Sequence, residues 1–195
     1  GDKLAVKCKS SVDIFDHVIM TVPTPFVSNL VPELSINEKN LYDGIDNIGV
    51  VCVVFELSKP VTNKFWLNIS DKNFDIPGVI EFSNLRPVEN NIIYVPYYMP
   101  TTNVKFAASD EEFISRTLQQ LSQLNSKITK QDLLNAKVAR LRYSQPICTP
   151  NFLDKLPEIK TSVRNLQIAD TSFYYPEDRG FNESINLGRQ MARNI

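Results

Sequence analysis

The ten residues Ile48-Gly-Val-Val-Cys-Val-Val-Phe-Glu-Leu57 constrain this chain more than any other stretch. Val and Ile branch at Cβ and lose rotamer freedom against a helical turn, whereas a pleated strand accommodates them. A run that is apolar at nearly every position gains most when both its faces are covered. It is therefore predicted as an interior strand, and the rest of the chain must supply its neighbours.

Those neighbours can be read on both sides. Lys64–Ile69 and Val79–Ser83 are predicted strands, separated by a loop holding Pro77-Gly78. Asn91–Tyr98 is another, and its Pro96 points to an edge or a strand end. Val138–Tyr143, running on to Pro146, carries Arg140 and Arg142. Upstream, Leu4–Lys9 alternates apolar and polar, Ser10–Asp13 breaks it, and Phe15–Val22 reads as a second, central strand. Asn165–Asp170 is predicted as the last strand. Thr24-Pro25 sets a cap and a first helical position for a short helix through about Leu30. Ser109-Asp-Glu-Glu112 is a capping box, and the helix it opens places Phe113, Ile114, Leu118, Leu121 and Leu124 on one stripe. Thr129 is predicted to cap a shorter helix containing Leu133 and Leu134, and a final helix runs from about Asn182. The polar stretch Asn37–Asn47 reads as a loop or ragged helix. The fold class is then α/β (α+β): a mixed β-sheet flanked by helices, too irregular for a repeated βαβ design.

Composition excludes several functions. With 21 basic and 22 acidic residues, the net charge of -1 offers nothing to nucleic acid or an anionic membrane. No apolar run approaches the roughly 20 residues of a membrane-spanning helix. Only six glycines occur, and no G-x-G-x-x-G, P-loop or G-x-S-x-G is present, so a phosphate cradle of the usual kind is absent. Cys8, Cys52 and Cys148 are unpaired in pattern, two of them in apolar strand-like stretches, as expected of a reducing cytoplasm. His17 is the sole histidine and reads as a half-exposed residue entering a strand. No metal site is expected, and no catalytic acid, base or nucleophile stands out. Gly1 reads as a cloning remnant, which places the natural start upstream.

The most informative segment is Asn165-Leu-Gln-Ile-Ala-Asp170, a turn rich in Tyr and Pro, and then a helix. Asp170 ends an apolar strand, at the sheet edge where ligands of open α/β sheets bind, and its carboxylate can accept hydrogen bonds from hydroxyls. The next helix offers unpaired N–H groups and partial positive charge at its start. The plainer alternative is that Asp170 caps a turn, while Arg179 pairs with Glu177 or Asp178.

Three stretches together resemble one family. Phe15-Asp-His-Val-Ile-Met-Thr-Val-Pro-Thr-Pro is similar to the strand with which flavin amine oxidases and protoporphyrinogen oxidases leave their FAD domain. Phe65-Trp-Leu-Asn-Ile-Ser-Asp with Val79-Ile-Glu-Phe-Ser-Asn84 resembles the substrate-domain sheet of bacterial NAD(P)/FAD-dependent oxidoreductases. Asn165–Ser172 followed by Tyr175-Pro-Glu-Asp-Arg-Gly-Phe-Asn-Glu-Ser-Ile-Asn-Leu-Gly-Arg189 resembles the C-terminal FAD motif of that group, and is the most specific of the three.

The resemblance implies a C-terminal part of an FAD-dependent oxidoreductase. Residues 1–30 would be a piece of the FAD domain, 31–160 the substrate domain, and 161–195 the C-terminal FAD strand and helix. Asp170 would hold the ribityl chain, with Gly180, Asn182, Glu183 and Ser184 beside the isoalloxazine. On the substrate side it implies Trp66, Asn84, Tyr97, Tyr143 and Gln145, although alternation lets only one of Tyr97 and Tyr98 face a given side. The partners would be a small-molecule substrate and an N-terminal FAD-binding half carrying the missing pyrophosphate site. Without that half the chain is expected to be inactive and colourless. Two alternatives stay open: a flavin-dependent isomerase resembling UDP-galactopyranose mutase, and a non-enzymatic α/β binding module.

Overall fold

The computed structural model describes residues 3–195, so Gly1 lies outside the described residues. In chain order the elements are β1 (Leu4–Lys7), β2 (Val12–Phe15), β3 (Val18–Met20), α1 (Val27–Leu30), α2 (Ile36–Asp43) and β4 (Asn47–Leu57). Then come β5 (Trp66–Asn68), β6 (Gly78–Glu81), β7 (Asn91–Met99) and α3 (Asp110–Leu124). The chain finishes with β8 (Leu133–Pro146), β9 (Leu166–Ile168) and α4 (Phe181–Ala192). They form two compact units: Ile48–Ser144, and the chain up to Asn47 together with Gln145–Ile195. The class is the mixed α/β arrangement read from the sequence.

The continuous unit is built on a five-stranded sheet ordered β5-β6-β7-β4-β8, with antiparallel ladders from β5 through to β4. As its composition requires, β4 is interior, with Val51, Val53, Phe55 and Leu57 fully buried. Ile93, Val95, Tyr97 and Met99 of β7 point to the same side, where the stripe of α3 packs on them through Phe113, Leu118 and Leu121. Each such side chain contributes about 1.5–3 kcal/mol by leaving water. The serine of the Ser109 box caps α3 as anticipated, accepting from the Glu112 N–H.

Several elements depart from expectation. β7 is interior despite Pro96, because the β6 ladder covers only Ile93 and Tyr94, and Pro96 lies past its end. Thr129 opens only a single turn, and Leu133 and Leu134 already belong to β8. The buried Asp132 stops that helix. Its carboxylate accepts from Ser58 Oγ (2.9 Å), from Lys59 Nζ (2.9 Å) and from the Thr129 N–H (2.9 Å) and hydroxyl (2.8 Å), which ties the end of β4 to the start of β8. Lys59 and these hydrogen bonds hold the Asp132 carboxyl well below the ordinary aspartate range. A depressed pKa gives stability that is present above the unfolded value and lost as pH falls below it. Asp132→Asn is therefore expected to melt below the parent at neutral pH. The gap should narrow as pH drops through the ordinary aspartate range, and a gap independent of pH in thermal melts would contradict this account.

In the discontinuous unit, Phe15–Val22 is two pieces rather than one central strand. β2 turns back on β1 as an exposed hairpin, and β3 pairs in parallel with β9. The break expected over Ser10–Asp13 is shorter, a turn closed by the Cys8 N–H to the Ser11 carbonyl at 2.8 Å. His17 is half-buried just before β3. Asn37–Asn47 contains a helix, α2, because Ser35 and Glu38 form a reciprocal capping box. Val27, Tyr42, Leu166 and Ile168 make the core of this unit. Cys8 and Cys148 are exposed and Cys52 is half-buried, so only one of the three thiols is shielded by a strand, and all are free. Among the described residues, no helix is long and apolar enough to cross a membrane, and no cluster of His, Cys, Asp and Glu is placed to hold a metal.

Candidate functional site

β9 is short and entirely buried, and one buried residue, Ala169, separates its end from Asp170. Asp170 is half-buried, and both of its oxygens are engaged: Oδ2 accepts from the Thr24 N–H (2.9 Å) and Oδ1 from the Ser172 N–H (2.8 Å). It thus caps its own turn, Thr171–Tyr174, and the turn that opens at Thr24. That cap replaces the one expected of the Thr24 side chain; neither its hydroxyl nor that of the buried Ser172 has a partner among the described residues. Turn capping therefore holds, but the cap also joins two elements 146 positions apart.

α4 packs its opening against the Thr171–Tyr174 turn, where Tyr174 Oη and Ser184 Oγ lie 2.9 Å apart. At its other end, Gln167 of β9 donates to the carbonyl of the buried Met191 at 3.2 Å. α4 therefore runs back along β9, which brings its first turn to the strand end that carries Asp170. Its N-cap is Gly180, which has no side chain to accept from the opening amides. Glu183 lies so close over Gly180 that a Cβ there would meet its Oε2 at 2.3 Å. Thr171, Tyr174, Arg179, Gly180, Phe181 and Ser184 line an open crevice of about 270 Å³, and Phe181 is 90% exposed at its rim. The Arg179 N–H donates to the Asp178 carboxylate at 2.7 Å.

Asp170, Gly180, Asn182, Glu183 and Ser184 are thus brought to one end of one unit. The substrate-side residues are not gathered in this way. Trp66 is 56% exposed on edge strand β5, its Nε1–H donating to Asn68 Oδ1 at 2.7 Å. Tyr143 lies on β8, the opposite edge of the same sheet. Tyr97 faces α3, its hydroxyl 2.7 Å from Thr117 Oγ1 and its ring edge-on to Phe113, and burial pushes that phenol up to about 12. Tyr98 is the one turned outward. Asn84 donates both amide protons, to the carbonyls of Thr62 and Lys64 at 3.0 Å each, and so ties down the loop before Trp66. Gln145 falls in the other unit. Alternation along β7 already separated Tyr97 from Tyr98; which of them met α3 depended on long-range packing.

The sequence pattern that defines flavin containing amine oxidoreductases matches residues 1–195. The chain belongs to that family. Solved structures with the same fold include a candidate protoporphyrinogen oxidase from Exiguobacterium sp. 255-15 (TM-score 0.65, 14% identity, 88% of this chain and 39% of that one). Putrescine oxidase carrying putrescine gives a TM-score of 0.70 at 12% identity, over 99% of this chain and 45% of that one. Cyclohexylamine oxidase from Brevibacterium oxydans IH-35A gives 0.64 at 11%, over 88% and 40%. This flavin amine oxidoreductase chain therefore spans less than half the length of those structures. No curated protein matches it.

The residues at the end of β9 fit a flavin. Asp170 keeps a further lone pair on each oxygen beyond the one N–H it accepts. The start of α4, where Gly180 leaves the N-cap without a side chain, has backbone N–H groups of the kind suited to an electron-rich ring edge.

Proposed function

We propose that this chain supplies one end of the cofactor site and the substrate sheet of an FAD-dependent oxidoreductase that oxidises a small organic substrate by hydride transfer. When bound, FAD supplies the electron acceptor for that transfer. Asp170 holds the hydroxyls of the ribityl chain while staying fixed by the Thr24 and Ser172 amides. The opening turn of α4, with Gly180, Asn182, Glu183 and Ser184, presents backbone N–H groups to the flavin ring. Of the substrate-side residues, Trp66 is proposed as a direct contact. Asn84 positions the loop before it, Tyr97 supports β7 from the α3 side, and Tyr143 and Gln145 lie on the far edge strand, β8. The pyrophosphate-binding half is proposed to be another part of the same protein, since the chain covers less than half of the structures it resembles.

The observation that carries this reading is the convergence of a half-buried carboxylate and a glycine-started helix at one end of β9. The chain alone is expected to purify colourless, because much of the binding energy resides with the pyrophosphate contacts it lacks. A flavin absorbance band in the purified chain would overturn that division of the site. In protein carrying both halves, anaerobic addition of a substrate should bleach the bound-flavin band. A loaded protein whose band is bleached by no member of a broad panel of amines and neutral aromatic compounds would sink the oxidoreductase reading.

A further inference from the structure

The β5–β6–β7–β4 sheet carries a second feature, on the face turned away from α3. Register sets Trp66 opposite Ile80, Ile80 opposite Tyr94, and Tyr94 opposite Val54, which makes one raised row across four strands. Two residues along, on the same face, the row is Asn68 opposite Gly78 and Pro96 opposite Cys52, all short or flat. Beyond it on β7 stands Tyr98, 47% exposed. A low row between tall ones is a trough, and here it is an open cleft of about 210 Å³ with Trp66 and Tyr98 at its ends and Gly78 and Pro96 in its floor. Two strand spacings and four residues of rise put the Trp66 and Tyr98 Cα atoms roughly 16 Å apart, room for one ring system between the side chains.

The trough is rigid where it matters. Gly78 admits no side chain, since a Cβ would meet the Leu67 carbonyl oxygen at 2.6 Å. The indole is held by Asn68, and the loop before it is clamped by the buried Glu81, which accepts from the Val61 N–H (3.2 Å) and the Thr62 N–H (2.7 Å). Asn84 holds the same loop from its carbonyls. Asn68 Oδ1 accepts from Trp66, which leaves the Asn68 amide N–H groups as the donors that this side chain can offer in the cleft, and no charged residue lines it among the described residues.

We infer that this trough binds a neutral aromatic ring carrying one hydrogen-bond acceptor, stacked against Trp66 and Tyr98 with its acceptor on the Asn68 amide. A cation would find no carboxylate in the lining, and a sugar would leave most of its hydroxyls unpaired. That the ring belongs to the substrate rests on the proposed function; the binding itself does not. Trp66 is the only tryptophan, so its emission reports the site without any flavin.

The test titrates the chain with benzamide while following tryptophan emission, with benzylamine and methyl glucoside as parallel arms. Benzamide should give a saturable change, weakened roughly tenfold in Tyr98→Ala and several-fold in Asn68→Leu. Both positions are exposed, so melting curves should match the parent. Absence of a saturable benzamide signal would overturn the site, as would unchanged affinity in both variants. Benzylamine or the glucoside binding as tightly as benzamide would overturn the assigned class. Flavin content of the two-halved protein tests the cofactor reading separately, so either can fail alone.

Discussion

Asp170→Ala is expected to strip flavin from the two-halved protein and, in the chain alone, to weaken the unit built on β3 and β9. The carboxylate accepts two backbone N–H groups, from Thr24 and Ser172. Hydrogen bonds to a charged acceptor contribute about 1.5–3 kcal/mol each, and removing the acceptor leaves the donors unpaired in a half-buried site. A loss of about 2–4 kcal/mol follows, read as a lower denaturation midpoint of the chain. Asp170→Asn keeps one acceptor oxygen and should fall between parent and alanine in stability. It loses the charge and half the acceptor capacity, so its flavin content should drop nearly as far as that of the alanine variant. Stoichiometric flavin in a folded Asp170→Ala protein would remove the carboxylate from the cofactor site.

The second large effect concerns Glu81, fully buried and without a salt bridge among the described residues. Glu81→Ala should cost the Ile48–Ser144 unit about 3 kcal/mol, since two loop amides lose their acceptor and a void opens beneath them. Burial raises the pKa of Glu81, opposed by the amides of Thr62 and Val61. The sign is the reverse of that for Asp132. With the folded pKa above the unfolded one, the native state binds the proton more tightly. The contribution of Glu81 is then greatest below the ordinary glutamate range and declines as pH rises toward the raised native value. Glu81→Gln removes this slope. Denaturant midpoints of parent and Glu81→Gln, measured at stepped pH, should differ in slope across that window; parallel lines would show that burial does not govern the group. Because the loop held by Glu81 feeds Trp66, the alanine variant should also show redder tryptophan emission.

Local rules that depend on neighbours in sequence were legible. The interior position of β4 followed from its composition, and the start and buried stripe of α3 followed from Ser109 and the spacing of Phe113, Leu118 and Leu121. The helix at Ile36–Asp43 was also written locally, in Ser35 and Glu38, although the surrounding polar residues obscure it. The misjudged elements turned on partners far along the chain. Leu133 and Leu134 became strand because Asp132 is bound by Ser58 and Lys59. Pro96 sits in an interior strand because the neighbouring ladder ends two residues earlier.

The sequence by itself determined the strand character of β4, the start and stripe of α3 and which residue types stand near the end of β9, because periodicity, capping and β-branching act over a few residues. Tertiary structure alone decided that the Asp170 carboxylate reaches across to Thr24, that α4 folds back to set its start beside that strand end, and that Trp66 and Tyr98, rather than Tyr97, border an open trough. Each of these is a pairing between distant positions. Such pairings are selected by register and by the free-energy cost of leaving a buried N–H or ring unmatched, neither of which is written in any short stretch of residues.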